Sequence, residues 1–255
     1  MSSETQNNQS QAPLVAHLIE LRNRLLKSVL VILLCFLALY AIANELYLAI
    51  SEPLRALLPV GSSLIATEVA SPFLAPLKLT FFVAILITIP FTLYQAWAFI
   101  APALYKNEKK LAIPLLISSV LLFYGGVTFA YYVVLPLVFG FFTSVGPSEV
   151  TVMTDINSYL NFVLKLFFAF GVTFEIPIAT YLLIKAGVTT VASLSKKRPY
   201  IILGCFVMGM LITPPDIFSQ TLLAIPMWML FEVGLLAGRT VKVEKESDEA
   251  EESTS

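Results

Sequence analysis

Leu77-Lys-Leu-Thr-Phe-Phe-Val-Ala-Ile-Leu-Ile-Thr-Ile-Pro-Phe-Thr-Leu-Tyr-Gln-Ala-Trp-Ala-Phe-Ile100 carries one charged side chain, Lys78, and carries it at the start. As a helix rising 1.5 Å per residue, such a run covers about 36 Å, more than the ~30 Å hydrocarbon core of a bilayer. In lipid, every backbone N–H and C=O must be satisfied internally, which selects a helix for an isolated span. Five further apolar runs lie outward from this one, over 25–46, 111–138, 159–184, 200–212 and 217–237. The fold class expected is therefore an all-α membrane protein with six transmembrane helices. Residues 1–240 form one polytopic domain in this reading. The fifth run is short, about 20 Å as a helix. It stops at Thr213-Pro-Pro-Asp216, a sequence that ends helices. Spans five and six thus read as a short helical hairpin, which must thin the bilayer locally or be shielded by neighbours.

Composition narrows the function classes. Apolar residues make up 58% of the 255-residue chain and charged residues 13%, against about 25% charged in a soluble domain. A net charge of -1 speaks against nucleic acid, which requires a basic patch. Cys35 and Cys205 both sit in apolar runs and are expected as small buried hydrophobes rather than a disulfide. His17 is the single histidine. With no H-E-x-x-H, G-x-S-x-G or Walker A pattern, neither a catalytic site, a metal nor a cofactor is expected. Any work must draw on a partner or on the membrane gradient. His17 itself reads as a plain helix-face residue.

Basic residues set the orientation. Arg22, Arg24 and Lys27 precede the first span, and Lys106, Lys109 and Lys110 follow the second. Lys185, Lys196, Lys197 and Arg198 follow the fourth, and Arg239, Lys242 and Lys245 follow the last. That places 13 of the 16 lysines and arginines on one side, leaving Arg55, Lys78 and Lys165 on the other. Both termini are expected in the cytoplasm. The stretch 241–255 reads as an acidic, disordered cytoplasmic tail. Ala41-Ile-Ala43 has the A-x-A form of a signal-peptidase site. The long apolar run and the long polar segment before it fit an uncleaved anchor better.

Two features inside the membrane invite interpretation. Residues 78–94 align without gaps on 165–181, matching Lys, Leu, Phe, Ile, Pro and Tyr. This is a parallel repeat or a chance likeness between apolar helices. Pro90 and Pro177 should each bend their helix. Glu175 lies mid-span, where a carboxylate costs about 2.5–3.5 kcal/mol on insertion scales. It either lines a polar groove or is a neutral, hydrogen-bonded core residue. Thr213 and Gln220 form either an interhelical docking patch or ordinary helix pairing.

On the basic side, His17-Leu-Ile-Glu-Leu-Arg22 leads into the first span, and Gln95–Glu108 combines aromatic residues, a Pro break and an acid among lysines. Glu20 and Glu108 are suited to bidentate guanidinium binding. Alternatively they balance their own Arg22, Lys106 or Lys109, which spacing alone favours.

These segments, with Ile65-Ala-Thr-Glu-Val-Ala-Ser-Pro-Phe73, Trp97-Ala-Phe-Ile-Ala-Pro-Ala-Leu-Tyr105, Phe170-Gly-Val-Thr-Phe-Glu-Ile-Pro177, Lys197-Arg-Pro-Tyr200 and Leu211-Ile-Thr-Pro-Pro-Asp-Ile-Phe-Ser-Gln220, resemble the TatC family. That family is the multispanning receptor subunit of the twin-arginine protein translocase. The likeness runs in unbroken order from about residue 13 to 240. It implies six helices in a cupped arrangement and recognition of twin-arginine signal peptides on folded cargo, driven by the proton-motive force in a bacterial inner membrane. By that likeness Phe99 and Glu108 match the recognition positions, with Glu20 a contributing acid and Pro102, Leu104 and Tyr105 in the same motif. Pro53 and Asp216 match external-side positions needed for transport, and Glu175 matches the buried acid of the concave face. Met210, Thr213 and Gln220 fall where single-span TatA and TatB type partners dock. Self-association in a receptor complex is also implied.

Two other classes compete. A small-solute secondary transporter would explain six spans and a membrane acid, but transporters show paired broken helices and inverted halves. An intramembrane enzyme needs a facing nucleophile and base, and none is evident.

Overall fold

A computed structural model describes residues 4–48, 63–104, 109–145, 153–213 and 216–240 of the chain. Helix α1 covers Glu4–Tyr40 and α2 covers Ser71–Leu104. Helix α3, Lys109–Phe129, passes through a π-helical turn at Ala130–Val134 into α4, Leu135–Val145. Then follow α5 (Ile156–Thr173), α6 (Ile176–Lys185), the short α7 (Val191–Lys196), α8 (Arg198–Ile212) and α9 (Ile217–Gly238). Among the described residues, five helical spans are long and apolar enough to cross a membrane: Val15–Tyr40, Ser71–Phe99, Ile113–Phe142, Ile156–Lys185 and Ile217–Gly238. The sixth apolar helix, Arg198–Ile212, is short, as the hydropathy pattern predicts.

Boundaries differ from the sequence expectation in two places. The first helix stops at Tyr40 and the chain turns at Ala41–Ile42, where Ile42 N–H donates to Leu39 C=O at 3.0 Å. The third span runs on past residue 138, because the π turn keeps the backbone helical at a point where apolar periodicity carries no end signal. The two prolines act differently. Helix α2 continues unbroken through Pro90. Ahead of Pro177 the helix breaks at Phe174–Glu175, since proline has no N–H to continue the ladder.

The described residues divide into two compact units. In the unit holding α1 and α2 (1–53 and 68–120), these helices pack antiparallel. Phe36 meets Phe81 edge-on at 5.7 Å, Arg24 reaches Gln95, and His17 stacks on Phe99, so position falls along α1 as it rises along α2. Trp97 Nε1 donates to Ser119 Oγ at 3.1 Å, in a buried contact that ties the end of α2 to α3.

The second unit (54–67 and 121–255) is built on close approaches at glycine. A Cβ on Gly126 would stand 2.5 Å from the Phe170 carbonyl oxygen, and one on Gly171 would stand 2.7 Å from the Phe123 ring. The α3 backbone thus meets the α5 backbone at Gly126, Gly171 makes room for the Phe123 ring, and Phe129 lies against Phe170 and Phe174. A Cβ on Gly234 would lie 2.8 Å from Pro177 Cα, which brings α9 against α6. This is the small-residue packing that membrane helices use when the hydrophobic effect between them is absent. Helices α8 and α9 pair as expected, but only α8 is short: α9, with 22 residues, is long enough to cross a membrane, which corrects the expectation of two short spans. The base of the hairpin is closed by Arg198, which donates through Nε and Nη2 to the two Glu232 oxygens at 2.7 Å each.

Hydropathy did not signal a pair of three-residue parallel strands, β1 (Ser63–Ile65) and β2 (Met153–Asp155), in the register Ser63↔Met153. Asp155 then caps α5. Its carboxylate accepts from Ser158 N–H at 2.9 Å and from the Thr67 hydroxyl at 2.8 Å. These bonds, with the Ser158 backbone bond foremost, lower its carboxyl to about 2. Each of the two aligned sequence segments, 78–94 and 165–181, thus follows a short strand.

Candidate functional site

Glu20 and Phe99 are 79 positions apart in the chain, and the antiparallel packing of α1 on α2 brings both to one cluster. His17 joins them. Its imidazole lies 4.1 Å from the Phe99 ring centroid at 15° between planes, and its Nδ1 lies 4.0 Å from Glu20 Oε2. The plain helix-face role expected for His17 is therefore corrected. The sequence offered a signal, because 17 and 20 share a helix face, but its partner Phe99 belongs to another helix.

Glu20 is not balanced by Arg22, as spacing alone suggested. Arg22 turns to the Asn23 amide at 3.3 Å, and Arg24 takes the carboxylate, with Nη2 at 2.7 Å and Nε at 2.9 Å from Oε1. The reason is helical geometry: residues four apart face each other and residues two apart do not. Arg24 Nη1 also donates to the buried Gln95 at 3.2 Å, which pins α1 to α2 beside the cluster. Glu20 Oε1 is thus committed to Arg24, while Oε2 faces the imidazole.

Chemically, this is a planar ring held flat on an aromatic face next to a carboxylate. A guanidinium has the same shape and a permanent charge, stacks on aromatic faces, and pairs with a carboxylate through parallel N–H bonds. Two residues before Phe99, Trp97 anchors this end of α2 through its buried bond to Ser119. Pro102 and Leu104 fall on the last turn of α2, with side chains outside the described residues. Tyr105, Glu108 and Pro53 lie outside the described residues altogether.

The remaining sequence-predicted residues belong to the second unit. Glu175 sits at the 174–175 break, as the residue before α6, and is half-buried. Asp216 caps α9, accepting from Ser219 N–H at 2.7 Å, which accounts for an acid at that position by helix capping. Thr213 is buried and its hydroxyl donates to the Gly209 carbonyl at 3.0 Å. Gln220 Nε2 crosses the hairpin to the Phe206 carbonyl at 2.7 Å. Both therefore pair within the chain, while Met210 is exposed on α8. The Arg198–Glu232 pair was missed in sequence: Arg198 was read only as a basic residue that sets orientation, and 34 positions separate it from Glu232. Among the described residues, no group of acidic, His or Cys side chains has the arrangement of a metal site.

A family model described as TatC, Sec-independent protein translocase protein, matches residues 16–226. The chain is 59% identical to a Sec-independent protein translocase protein TatC of Azotobacter chroococcum, over 92% of each chain. It is 57% identical to that of Escherichia coli, over 89% of this chain and 88% of the relative. It is also similar to a solved crystal structure of the twin-arginine translocase receptor TatC. That likeness has a TM-score of 0.80 and 39% identity, covering 88% of this chain and 98% of the other.

Proposed function

This chain belongs to the TatC family of Sec-independent protein translocase proteins, and on that premise we propose that the His17–Glu20–Phe99 cluster is where it engages the paired arginines of a signal peptide. The protein is a multi-pass component of the bacterial inner membrane and the core receptor subunit of the twin-arginine translocase. The translocase exports folded proteins using the proton-motive force. The small-solute transporter alternative finds no support among the relatives.

The observation that carries the site is the convergence of Glu20 and Phe99 through His17. One guanidinium of the signal takes the place of the His17 ring against Phe99 and Glu20 Oε2. Glu108 takes the second, with Pro102, Leu104 and Tyr105 forming the ledge. Both termini face the cytoplasm in this reading, which the 13 basic residues on one side support. Glu175 lines a hydrated groove for the rest of the peptide, and Pro53 and Asp216 act on the external side. Met210, on the exposed side of a hairpin already paired internally, docks single-span TatA and TatB type subunits, with Thr213 and Gln220 stiffening the surface behind it.

The deciding experiment is a double-mutant cycle on purified protein, crossing Glu108→Ala with arginine-to-lysine changes in a twin-arginine peptide. Losing one charge-assisted bond costs about 1.5–3 kcal/mol, or roughly ten- to a hundredfold in affinity. The loss should nearly vanish against the twin-lysine peptide. Additive losses would return Glu108 to the role of balancing its neighbouring lysines.

A further inference from the structure

Lys165 is an exposed cation in the span Ile156–Lys185. It lines a cavity of about 540 Å³ with Ser158, Asn161, Phe142, Phe162 and Ile212 among the other walls. Among the described residues no carboxylate lines this cavity and none makes an ion pair with Lys165. A membrane cation without a counter-charge is costly, and such residues pair or snorkel.

Its depth follows from helix geometry. The 30 residues of the span are divided between α5 and α6 by the break at 174–175, so depth is counted along α5 from its Asp155 end. Lys165 is nine residues from Ile156, about 13 Å along the axis. That places it in the half of α5 nearer the capped Asp155 end, where a lysine side chain can snorkel towards a phosphate. The cavity lies where the short α8 ends: Ile212 is its last residue. A 15-residue helix covers about 22 Å and stops short of its longer neighbour. The step leaves a notch whose floor is polar at Ser158, Asn161 and Lys165 and whose walls are apolar at Phe142, Phe162 and Ile212.

The geometry points to this notch as a binding site for an anionic phospholipid, its phosphate on the Lys165 ammonium and an acyl chain against Phe142 and Phe162. A phosphatidylglycerol-type headgroup fits, because it has no cation of its own. Phosphatidylethanolamine brings an ammonium that competes with Lys165. This site is separate from the signal-peptide cluster and is read out without peptide.

The test is native mass spectrometry of the full chain, delipidated in detergent and titrated with phosphatidylglycerol or with phosphatidylethanolamine of the same acyl chains. One basic residue beside a phosphate is worth about fivefold in affinity. Wild type and Lys165→Arg should therefore retain phosphatidylglycerol at about fivefold lower concentration than Lys165→Gln, and Phe162→Ala should weaken retention without removing the headgroup preference. A thermal melt confirms that each variant is folded. Equal retention by Lys165→Gln, equal retention of the two lipids, or displacement of phosphatidylglycerol by equimolar inorganic phosphate would each overturn the proposal, the last by reducing the notch to a bare anion site.

Discussion

Replacing Glu20 by Gln probes the recognition cluster while leaving its shape. Glutamine keeps an acceptor oxygen for Arg24 and removes only the charge. The structural cost is small: the Glu20 side chain is 41% exposed, and an exposed pair four residues apart on a helix contributes about 0.3–0.5 kcal/mol. Recognition should suffer more. A charge-assisted hydrogen bond is worth about 1.5–3 kcal/mol, and the exposure of Glu20, together with the bonds Oε1 already makes to Arg24, places its contribution at the lower end. The expected loss is about 1.5 kcal/mol, or roughly tenfold. The assay is titration of a fluorescent twin-arginine peptide against the protein in nanodiscs, repeated with a twin-lysine peptide. Lysine offers a point charge rather than a planar fork, so the Gln variant should lose clearly less on the lysine peptide. Raising the ionic strength should narrow the gap, because the carboxylate is partly exposed. An equal loss on both peptides, or no loss on either, would refute the assignment of Glu20 to an arginine.

Three other outcomes follow from the geometry. Arg198→Lys should loosen the base of the α8–α9 hairpin by about 0.5–1.5 kcal/mol, because both fork bonds to Glu232 go and the pair is partly exposed; accelerated hydrogen exchange confined to α8 and the end of α9 checks it. Gly234→Ala should lower the melting temperature, because its methyl group would stand 2.8 Å from Pro177 Cα and overpacking costs about 1–3 kcal/mol. Gly125→Ala, with nothing within 4 Å, should be neutral or stabilising. Asp155 tests the pH dependence. Its carboxyl falls from an ordinary 3.8 to about 2 in the folded protein, so the unfolded chain binds more protons between these values. The stabilisation is therefore complete above the higher value and lost as pH falls towards the lower. The melting difference between wild type and Asp155→Asn should shrink over that interval and be constant above it.

Much of the architecture was legible because the bilayer imposes a length and a composition on each span. The run 77–100 needs no partner to be read as a helix, and Thr213-Pro-Pro-Asp216 announces the turn of the hairpin by local chemistry alone. Glu20 was legible as an acid on the right side, but its neutralising partner was misread. Helix phase decides between Arg22 and Arg24, and phase matters only once the segment is known to be helical that far upstream. Candidate positions carried over by family likeness, such as Met210 or Glu175, could be located but not oriented. Nothing in a run of apolar residues states which side of the helix faces a neighbour.

By itself, then, the sequence determined the all-α, multi-pass membrane architecture, the short fifth helix, the distribution of basic residues and the family, since hydropathy, proline and basic residues act locally or along the chain. Tertiary structure alone decided that His17 lies flat on Phe99, that Arg198 forks onto Glu232, that Ser63 pairs with Met153, and that Gly126 and Gly234 admit a neighbouring helix. Each of these joins residues far apart in sequence, and each depends on which helix faces pack together. That choice is made by close packing at glycine and by side-chain hydrogen bonds, because lipid tails are as apolar as the helices themselves and hydrophobicity cannot select among partners.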